Sequence, residues 1–306
     1  MRSQDNLGTH FSRGGQMINF YLPDFYHKSV LNAKLIELLS KNPNYFYDNI
    51  SIGAIYGTFP GAIWNGGRQV SGIANKSQIL RTIHNFNEKG IPLRFTFTNC
   101  LLEEKHLYDT YCNLIVECAN NGMNEILVNS PLLEEYLRIN YPNYKYILST
   151  TTCERDINKI NSACQRYEMV VPDYRDTVND TFLNALEHKE KIEILINSYC
   201  SPYCSRRKQH YEVLSKGQLT FSGISDITSE CECQYKPFLD ILDSLVVIKV
   251  EDLYKKYTDL GFSNFKIEGR LLNNLDVVES YVYYLVKPEF KDRVRYILLK
   301  EIFTSS

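Results

Sequence analysis

Short apolar runs alternate with amphipathic stretches along most of this chain. The run NFYLP precedes SVLNAKLIELLS, and ISIGAIYG precedes KSQILRTIHNFNEKG. The same rhythm continues through the runs PLRFTFTN, EILVNS, YKYILST, EMVVPD, KIEILINS, SLVVIK and NFKIEG. Most of these runs are followed by a stretch with helical periodicity, so strands of about five residues alternate with helices. This alternation predicts parallel β/α units.

Nine strand candidates favour a TIM-like (β/α)8 barrel, an α/β fold that needs eight strands and leaves one candidate over. A doubly wound open sheet is the alternative, but the glycine-rich segment GAIYGTFPGAIWNGG does not fit its G-x-G-x-x-G motif. The rhythm breaks near residues 200–240, where we expect an irregular, cysteine-bearing insertion. We therefore predict a single barrel domain over residues 17–306, preceded by a disordered extension over residues 1–16.

The composition is that of a globular protein and leaves this interpretation unchanged. Of 306 residues, 44% are hydrophobic and 23% are charged, with a net charge of −2. This charge gives no global basic field for nucleic acid, although a local basic patch could bind it. No apolar run approaches the roughly 20 residues that span a bilayer, and the N-terminus has no secretory signal. We expect a cytoplasmic protein without membrane association.

Small polar groups follow most of the predicted strands, where a barrel places its reactive residues. They are Tyr56, Asn99 with Cys100, Asn129 with Ser130, Thr150–Thr152 with Cys153, Pro172 with Asp173, Asn197 with Cys200, and Glu268 with Arg270. These groups suit hydrogen bonding to a ligand, and they equally suit capping of the helices that follow.

Two pairs of cysteines fall in the irregular stretch. Cys200 and Cys204 are separated by three residues, and Cys231 and Cys233 by one. In a reducing compartment such clusters bind metal more often than they form disulfides. Zinc prefers a spacing like that of the first pair, whereas an iron–sulfur cluster tolerates irregular spacing. The second pair could instead be exposed loop thiols.

The remaining cysteines divide by position. Cys112, Cys118 and Cys164 fall within helical patterns, and we expect them to be buried thiols. Cys100 and Cys153 each end a predicted strand, and either could replace one of the metal ligands.

Basic residues near the first cysteine pair offer further chemistry. His210 could bind metal or transfer protons near neutral pH, or it could be a solvated helix residue. Arg206 and Arg207 could hold an anionic substrate, although we expect at least one of them to be a plain surface residue.

The segment NFKIEGR ends the last predicted strand. Lys266 and Glu268 have the same parity, so both face the barrel interior or its mouth, where burial demands pairing. An ion pair that only closes the barrel would satisfy that demand. Arg270 follows at the rim. The chain has no G-x-S-x-G, H-E-x-x-H or P-loop motif, and it lacks the C-x₃-C-x₂-C spacing of radical-SAM enzymes.

With these residues in view, the chain resembles the peptidase U32 family. GFSNFKIEGR is similar to the family's K-I-E-G-R segment, CSPYCSRR to its C-x₃-C-R element, and AIYGTFPGAIWNGGR to its early strand and arginine-bearing loop. The resemblance extends over most of residues 50–287. It departs from the family in lacking a further cysteine shortly upstream of Cys200, and in the spacing of Cys231 and Cys233.

The resemblance implies a TIM-like barrel with a four-cysteine [4Fe–4S] cluster. Family members support oxygen-independent hydroxylation of RNA bases or of a quinone precursor, and others are known as collagenase-like proteases. We therefore expect an iron–sulfur enzyme acting on RNA or on a small aromatic or polar substrate. The residues assigned to its site are the metal ligands Cys200, Cys204, Cys231 and Cys233, the substrate-binding Arg68, Asn197, Arg206 and Arg270, and the catalytic His210 and Glu268.

Two alternatives remain open at this point. Hydrolysis would need a water activated by zinc on Cys200, Cys204 and His210, with Glu268 as the base. A non-catalytic partner subunit is the other alternative, and the 23 tyrosines could build its contact surface.

Overall fold

The computed structural model describes residues 16–222 and 236–304. Most of the predicted N-terminal extension, together with Cys231 and Cys233, lies outside these residues. Eight strands form the centre of the fold. They are β1 (Ile18–Pro23), β2 (Ile50–Gly57), β3 (Leu93–Phe97), β4 (Glu125–Val128), β5 (Lys145–Leu148), β6 (Met169–Val170), β7 (Glu193–Leu195) and β8 (Asn264–Lys266).

The strands form one parallel sheet in the order β6-β5-β4-β3-β2-β1-β8-β7. The two ends of this order meet, because Val170 of β6 pairs in parallel with Ile192, which directly precedes β7. Among the described residues this single pair joins β6 to β7, whereas β1 and β2 pair along six positions. The predicted eight-stranded parallel barrel is thus confirmed, with a thin seam between β6 and β7.

Helices follow the strands and cover the outside of the barrel. They are α1 (Ser29–Lys41), α2 (Lys76–Asn87), α3 (Glu104–Leu107), α4 (Thr110–Ala119), α5 (Pro131–Asn140), α6 (Ile157–Arg166), α7 (Asp180–Ala185), α8 (Arg207–Thr220), α9 (Phe238–Ile241), α10 (Val250–Asp252), α11 (Asn274–Leu285) and α12 (Lys291–Thr304). A π-helical segment, Leu253–Tyr257, continues α10. Several helices begin at a capping side chain, such as Asn75 before α2 and Asp156 before α6.

Two expectations from the sequence need correction. The ninth strand candidate, SLVVIK, is not a strand: it makes one antiparallel bridge, between Val247 and Asn197. Its Val246, Val247 and Ile248 are nonetheless buried, which explains the apolar run. The stretch expected to be irregular is also partly ordered, because residues 207–220 form α8.

The largest apolar core lies between the strands and the surrounding helices. The barrel interior is instead largely polar. Arg94 donates to Glu125 at 2.6 Å and also pairs with Glu193, and Lys266 contacts Glu193 at 3.1 Å. Tyr21 covers the Arg94 guanidinium at 4.1 Å. Lys266 therefore finds the buried partner that its parity on β8 required.

Across the described parts of the chain, no helix combines the length and the apolar character needed to cross a membrane.

Candidate active site at the carboxyl end of the barrel

Helix α8 lies across the carboxyl end of the barrel, which we call the mouth. The side chain of Gln218 bonds to Ala62 O and to both the N–H and C=O of Val70, in the loop after β2. Ser215 receives hydrogen bonds from Asn99 and Cys100, after β3. The helix therefore shields the mouth from solvent and brings its own side chains to it.

Arg270, beyond β8, reaches across the mouth to β3 and the loop after β2. It donates to Thr96 Oγ1 at 2.7 Å, to Gly66 O at 3.0 Å and to Asn65 Oδ1 at 3.1 Å. These three acceptors are neutral. Burial, and then the charge of Arg68, lower the pKa of Arg270 to about 10. The guanidinium is still protonated at neutral pH, so the mouth carries a positive charge.

Arg68 and Glu268 form an ion pair beside Arg270. Burial alone would lower the pKa of Arg68, but the Glu268 carboxylate outweighs it and raises that pKa. Asn197 holds Glu268 in place: its Oδ1 accepts from the Glu268 N–H at 2.6 Å, and its Nδ2 donates to the Glu268 carbonyl at 3.1 Å. Both ends of the buried Asn197 amide are thus used within the protein.

A second cationic cluster lies where the loops after β6 and β7 meet. Arg175 binds Asp173 through two hydrogen bonds, of 2.8 and 2.9 Å. Arg207 stacks 4.2 Å from the Tyr174 ring, and its Nε lies 3.4 Å from Asp173 Oδ2 without hydrogen-bond alignment. Burial would raise the pKa of Asp173, but the two guanidinium groups outweigh it and lower that pKa.

The thiols of Cys200 and Cys204 lie on the loop between β7 and α8, and both residues are half-buried. Cys200 packs against the small cluster of Tyr174, Leu195 and Val246. The backbone of this loop is fixed from β6, because Tyr174 donates to Ser201 O at 2.6 Å and Arg175 to Cys204 O at 2.7 Å. The loop is therefore held in one position.

His210 lies on the first turn of α8, half-buried among charged groups. Burial, followed by the charges of Arg68 and Arg207, lowers its pKa to about 4. The imidazole is therefore neutral at physiological pH, and it can accept a proton or a hydrogen bond.

A metal site can be tested against these positions. Within residues 16–222 and 236–304, no three His, Cys, Asp or Glu side chains come close enough together to hold a metal ion. Cys200, Cys204 and His210 therefore do not assemble the zinc site of the hydrolytic alternative here. The described residues offer the first two thiols of a four-cysteine site, and the predicted third and fourth, Cys231 and Cys233, lie outside them.

The structure brings together most of the predicted site residues, with some changes of role. Arg68, Glu268, Arg270 and His210 meet at the mouth, while Arg206 is exposed and its neighbour Arg207 is buried. The sequence analysis did not identify Gly67 and Thr98 as residues of the mouth, and it did not predict that Arg207 is buried there. The spacing of Arg207, Tyr211, Leu214, Ser215 and Gln218 is a helical stripe that could have revealed this burial.

The fold and site define an α/β barrel protein with a cationic, thiol-bearing mouth. Among solved structures, the U32 peptidase Mk0906 matches with a TM-score of 0.53 and 12% sequence identity, over 88% of this chain and 98% of that one. At this identity the likeness shows a shared fold, and it agrees with the U32 resemblance of the sequence. No family model matches the chain, and no curated protein sequence does.

Proposed function

We propose that this chain is a U32-type barrel protein, an iron–sulfur enzyme that binds a polar, anionic substrate at the mouth. The observation that carries the proposal is the convergence of Arg68, Arg207 and Arg270 beside the Cys200 loop. Guanidinium groups in a shielded site bind carboxylates and phosphates strongly, since little water competes for them. The reaction class that we propose is oxygen-independent hydroxylation, after the family resemblance.

The cofactor part of the proposal is a [4Fe–4S] cluster on Cys200, Cys204, Cys231 and Cys233. Two of these thiols, Cys200 and Cys204, lie on one loop whose backbone accepts hydrogen bonds from Tyr174 and Arg175, which favours ligation. The described residues alone do not complete the site. A cluster there would supply electron transfer. The substrate contacts and proton transfers that we assign to the protein's own side chains do not depend on it.

The chain's own residues would bind the substrate and move protons. Arg270 and Arg68 would orient the anionic group, and α8 would exclude water from it. His210 is neutral at pH 7 and would accept a hydrogen bond from the substrate, or a proton as a weak base, since its pKa is about 4. Glu268 can serve as a base only after a ligand has drawn Arg68 away from it, because the ion pair occupies its carboxylate.

Iron and acid-labile sulfide content of anaerobically purified protein tests the proposal. We expect about four of each per chain, with broad visible absorbance, for a thiolate-bound [4Fe–4S] centre. Cys200→Ser and Cys204→Ser should each lose the metal, whereas Cys112→Ser should retain it, because Cys112 is buried within α4. Equal metal content in all three variants would contradict the assigned ligands.

Hydrolysis is a second candidate, and it is favoured by the likeness to a solved structure described as a U32 peptidase. Its test is a zinc analysis combined with a chelator-sensitive peptidase assay. RNA binding, a partner subunit and a cytoplasmic location stay predictions. Co-purification of RNA or of a second protein from the cytoplasmic fraction would support them.

A further inference from the structure

The hydroxyl of Thr98 is buried and has no hydrogen-bond partner among residues 16–222 and 236–304. Thr96 and Thr98 share the parity of Arg94 on and just beyond β3, so their side chains face the interior and the mouth. Thr96 Oγ1 lies within hydrogen-bonding distance of two acceptors, Gly57 O at 3.1 Å and Asn65 Oδ1 at 2.9 Å, and its one hydrogen can be donated to either. Thr98 is only 2% exposed, and its Oγ1 has no hydrogen-bond partner among the described residues. A buried hydroxyl in this state is destabilising unless a ligand satisfies it.

Arg270 has unused hydrogen-bonding capacity in the same place. Its Nη1 donates hydrogen bonds to Asn65 Oδ1 and Thr96 Oγ1, and its Nη2 donates one to Gly66 O. A guanidinium has five N–H donors, and within the described part of the chain Nε and the second Nη2 hydrogen have no bonded acceptor. No carboxylate of that part bonds to Arg270, so its charge lacks a direct counter-ion. Arg270 as a whole is half-buried.

Gly67 lies close to both of these groups. A Cβ atom on Gly67 would lie 3.2 Å from Arg270 Nη2, 3.2 Å from Thr151 Cγ2 and 3.8 Å from Thr98 Oγ1. The φ of Gly67 is +72°, a conformation that favours glycine. The preceding Gly66 is pressed against β3, since its Cβ would lie 2.3 Å from Thr98 O. The loop therefore approaches Thr98 and Arg270 closely and adds no side chain of its own there.

We propose that Gly67, Thr98 and Arg270 form an oxyanion subsite that takes one oxygen of a substrate carboxylate or phosphate. An oxygen that lies within hydrogen-bonding distance of Thr98 Oγ1 and of Arg270 would accept hydrogen bonds from both the hydroxyl and the guanidinium. Its negative charge would also neutralise Arg270. The inference rests on the proposed function, because it names the chemical class of the substrate group that the mouth binds.

The two donors limit what can bind between them. Glycine at position 67 keeps their surroundings clear, because a side chain there would begin only 3.2 Å from Arg270 Nη2. A neutral amide or alcohol could satisfy Thr98 but would leave the charge of Arg270 uncompensated. Carboxylate and phosphate share the chemistry that fits, and their binding can be compared directly.

The test uses the full chain, with inorganic phosphate and acetate as separate probes at constant ionic strength. Thermal unfolding and calorimetric titration measure the stabilisation and the Kd for each anion. We expect at least one anion to raise the Tm of the wild type, and the more tightly bound one identifies the class. Thr98→Val should weaken its binding about tenfold or more, and Arg270→Gln should remove the Tm shift.

Stability without anion separates the subsite from a structural role. Thr98→Val should unfold at the same temperature as the wild type or higher, because no hydrogen bond is lost. Thr177→Val is the matched control: its buried hydroxyl donates to Tyr174 O at 3.0 Å, so it should lower the Tm and leave the Kd unchanged. An unchanged Kd in Thr98→Val, or no stabilisation of the wild type by up to about 50 mM of either anion, would overturn the subsite.

The outcome is independent of the cluster. Anion binding that depends on Thr98 in protein without iron would leave the subsite standing while the proposed function fails. A full cluster, together with an anion Kd that Thr98→Val does not change, would support the cofactor part of the proposed function and overturn the subsite.

Discussion

His210 is half-buried near Arg68 and Arg207, and its burial, followed by their charges, lowers its pKa. The unfolded chain binds a proton at this histidine near its ordinary pKa of about 6.5, whereas the folded chain does so only near 4. The unfolded state therefore binds more protons between these values, and the contribution of His210 to stability is lost as pH falls from about 6.5 toward 4.

Replacing His210 with glutamine should remove this loss. Between pH 7 and pH 5 we expect the unfolding free energy of His210→Gln to fall by about 1 kcal/mol less than that of the wild type, after allowing for solvent screening. Urea unfolding at the two pH values measures it. His84→Gln, at an exposed position on α2, is the control. Identical pH dependence in wild type and His210→Gln would contradict the burial of this imidazole.

The sequence could reveal some of these residue environments and not others. The common parity of Lys266 and Glu268 correctly predicted that both would be paired. Nothing local distinguishes Arg206 from Arg207, because the difference depends on which of them the start of α8 turns inward. The roles of Thr98 and Gly67 arise where two loops distant in sequence approach each other, and no periodic pattern encodes such an approach.

Among the elements, the strands were easier to predict than the helix that covers them. The outward positions of the strands pack into the apolar core, so the strands carry apolar residues at regular spacing even where their inward positions are polar. The buried stripe of α8 contains Arg207, Ser215 and Gln218, and these polar residues conceal its amphipathic pattern. SLVVIK was mistaken for a strand for the opposite reason: it is apolar and buried, but it makes only one bridge.

Gln218 is the main polar link between α8 and the loop that carries Arg68. Gln218→Ala would leave the N–H and C=O of Val70 and the carbonyl of Ala62 without this partner. We expect a loss of about 2–3 kcal/mol in unfolding free energy, measured by chemical denaturation. Lys216→Ala, at an exposed position of the same helix, should change stability by less than about 0.5 kcal/mol. Equal stability of both variants would show that α8 is not held through Gln218.

For the whole molecule, the number of alternating segments was sufficient to predict a barrel, but its interior was not predictable from them. A small barrel is usually filled by branched apolar side chains. Here four charged side chains from four different strands neutralise one another in the barrel interior. They are Arg94, Glu125, Glu193 and Lys266. Burial would raise the pKa of Glu193, but Arg94 and Lys266 outweigh it and lower that pKa. Each of these residues alone reads as an ordinary charged position.

Arg94 holds this network together. Arg94→Met would leave two buried carboxylates with one cation between them, and we expect a loss of about 3–5 kcal/mol in unfolding free energy. Lys41→Met, which breaks an exposed ion pair with Glu37 on α1, should cost less than about 1 kcal/mol. Denaturant titrations of both variants provide the comparison, and a small effect of Arg94→Met would mean that water reaches the barrel interior.

The thin seam between β6 and β7 links the integrity of the barrel to the occupancy of its site. Few ladder hydrogen bonds join these two strands. They are joined instead by the Asp173–Arg207 contact and by the hydrogen bonds from Tyr174 and Arg175 to the Cys200 loop. A ligand that binds the Cys200 loop would therefore also stabilise the junction between β6 and β7. We expect the protein to resist proteolysis better with such a ligand bound than without it.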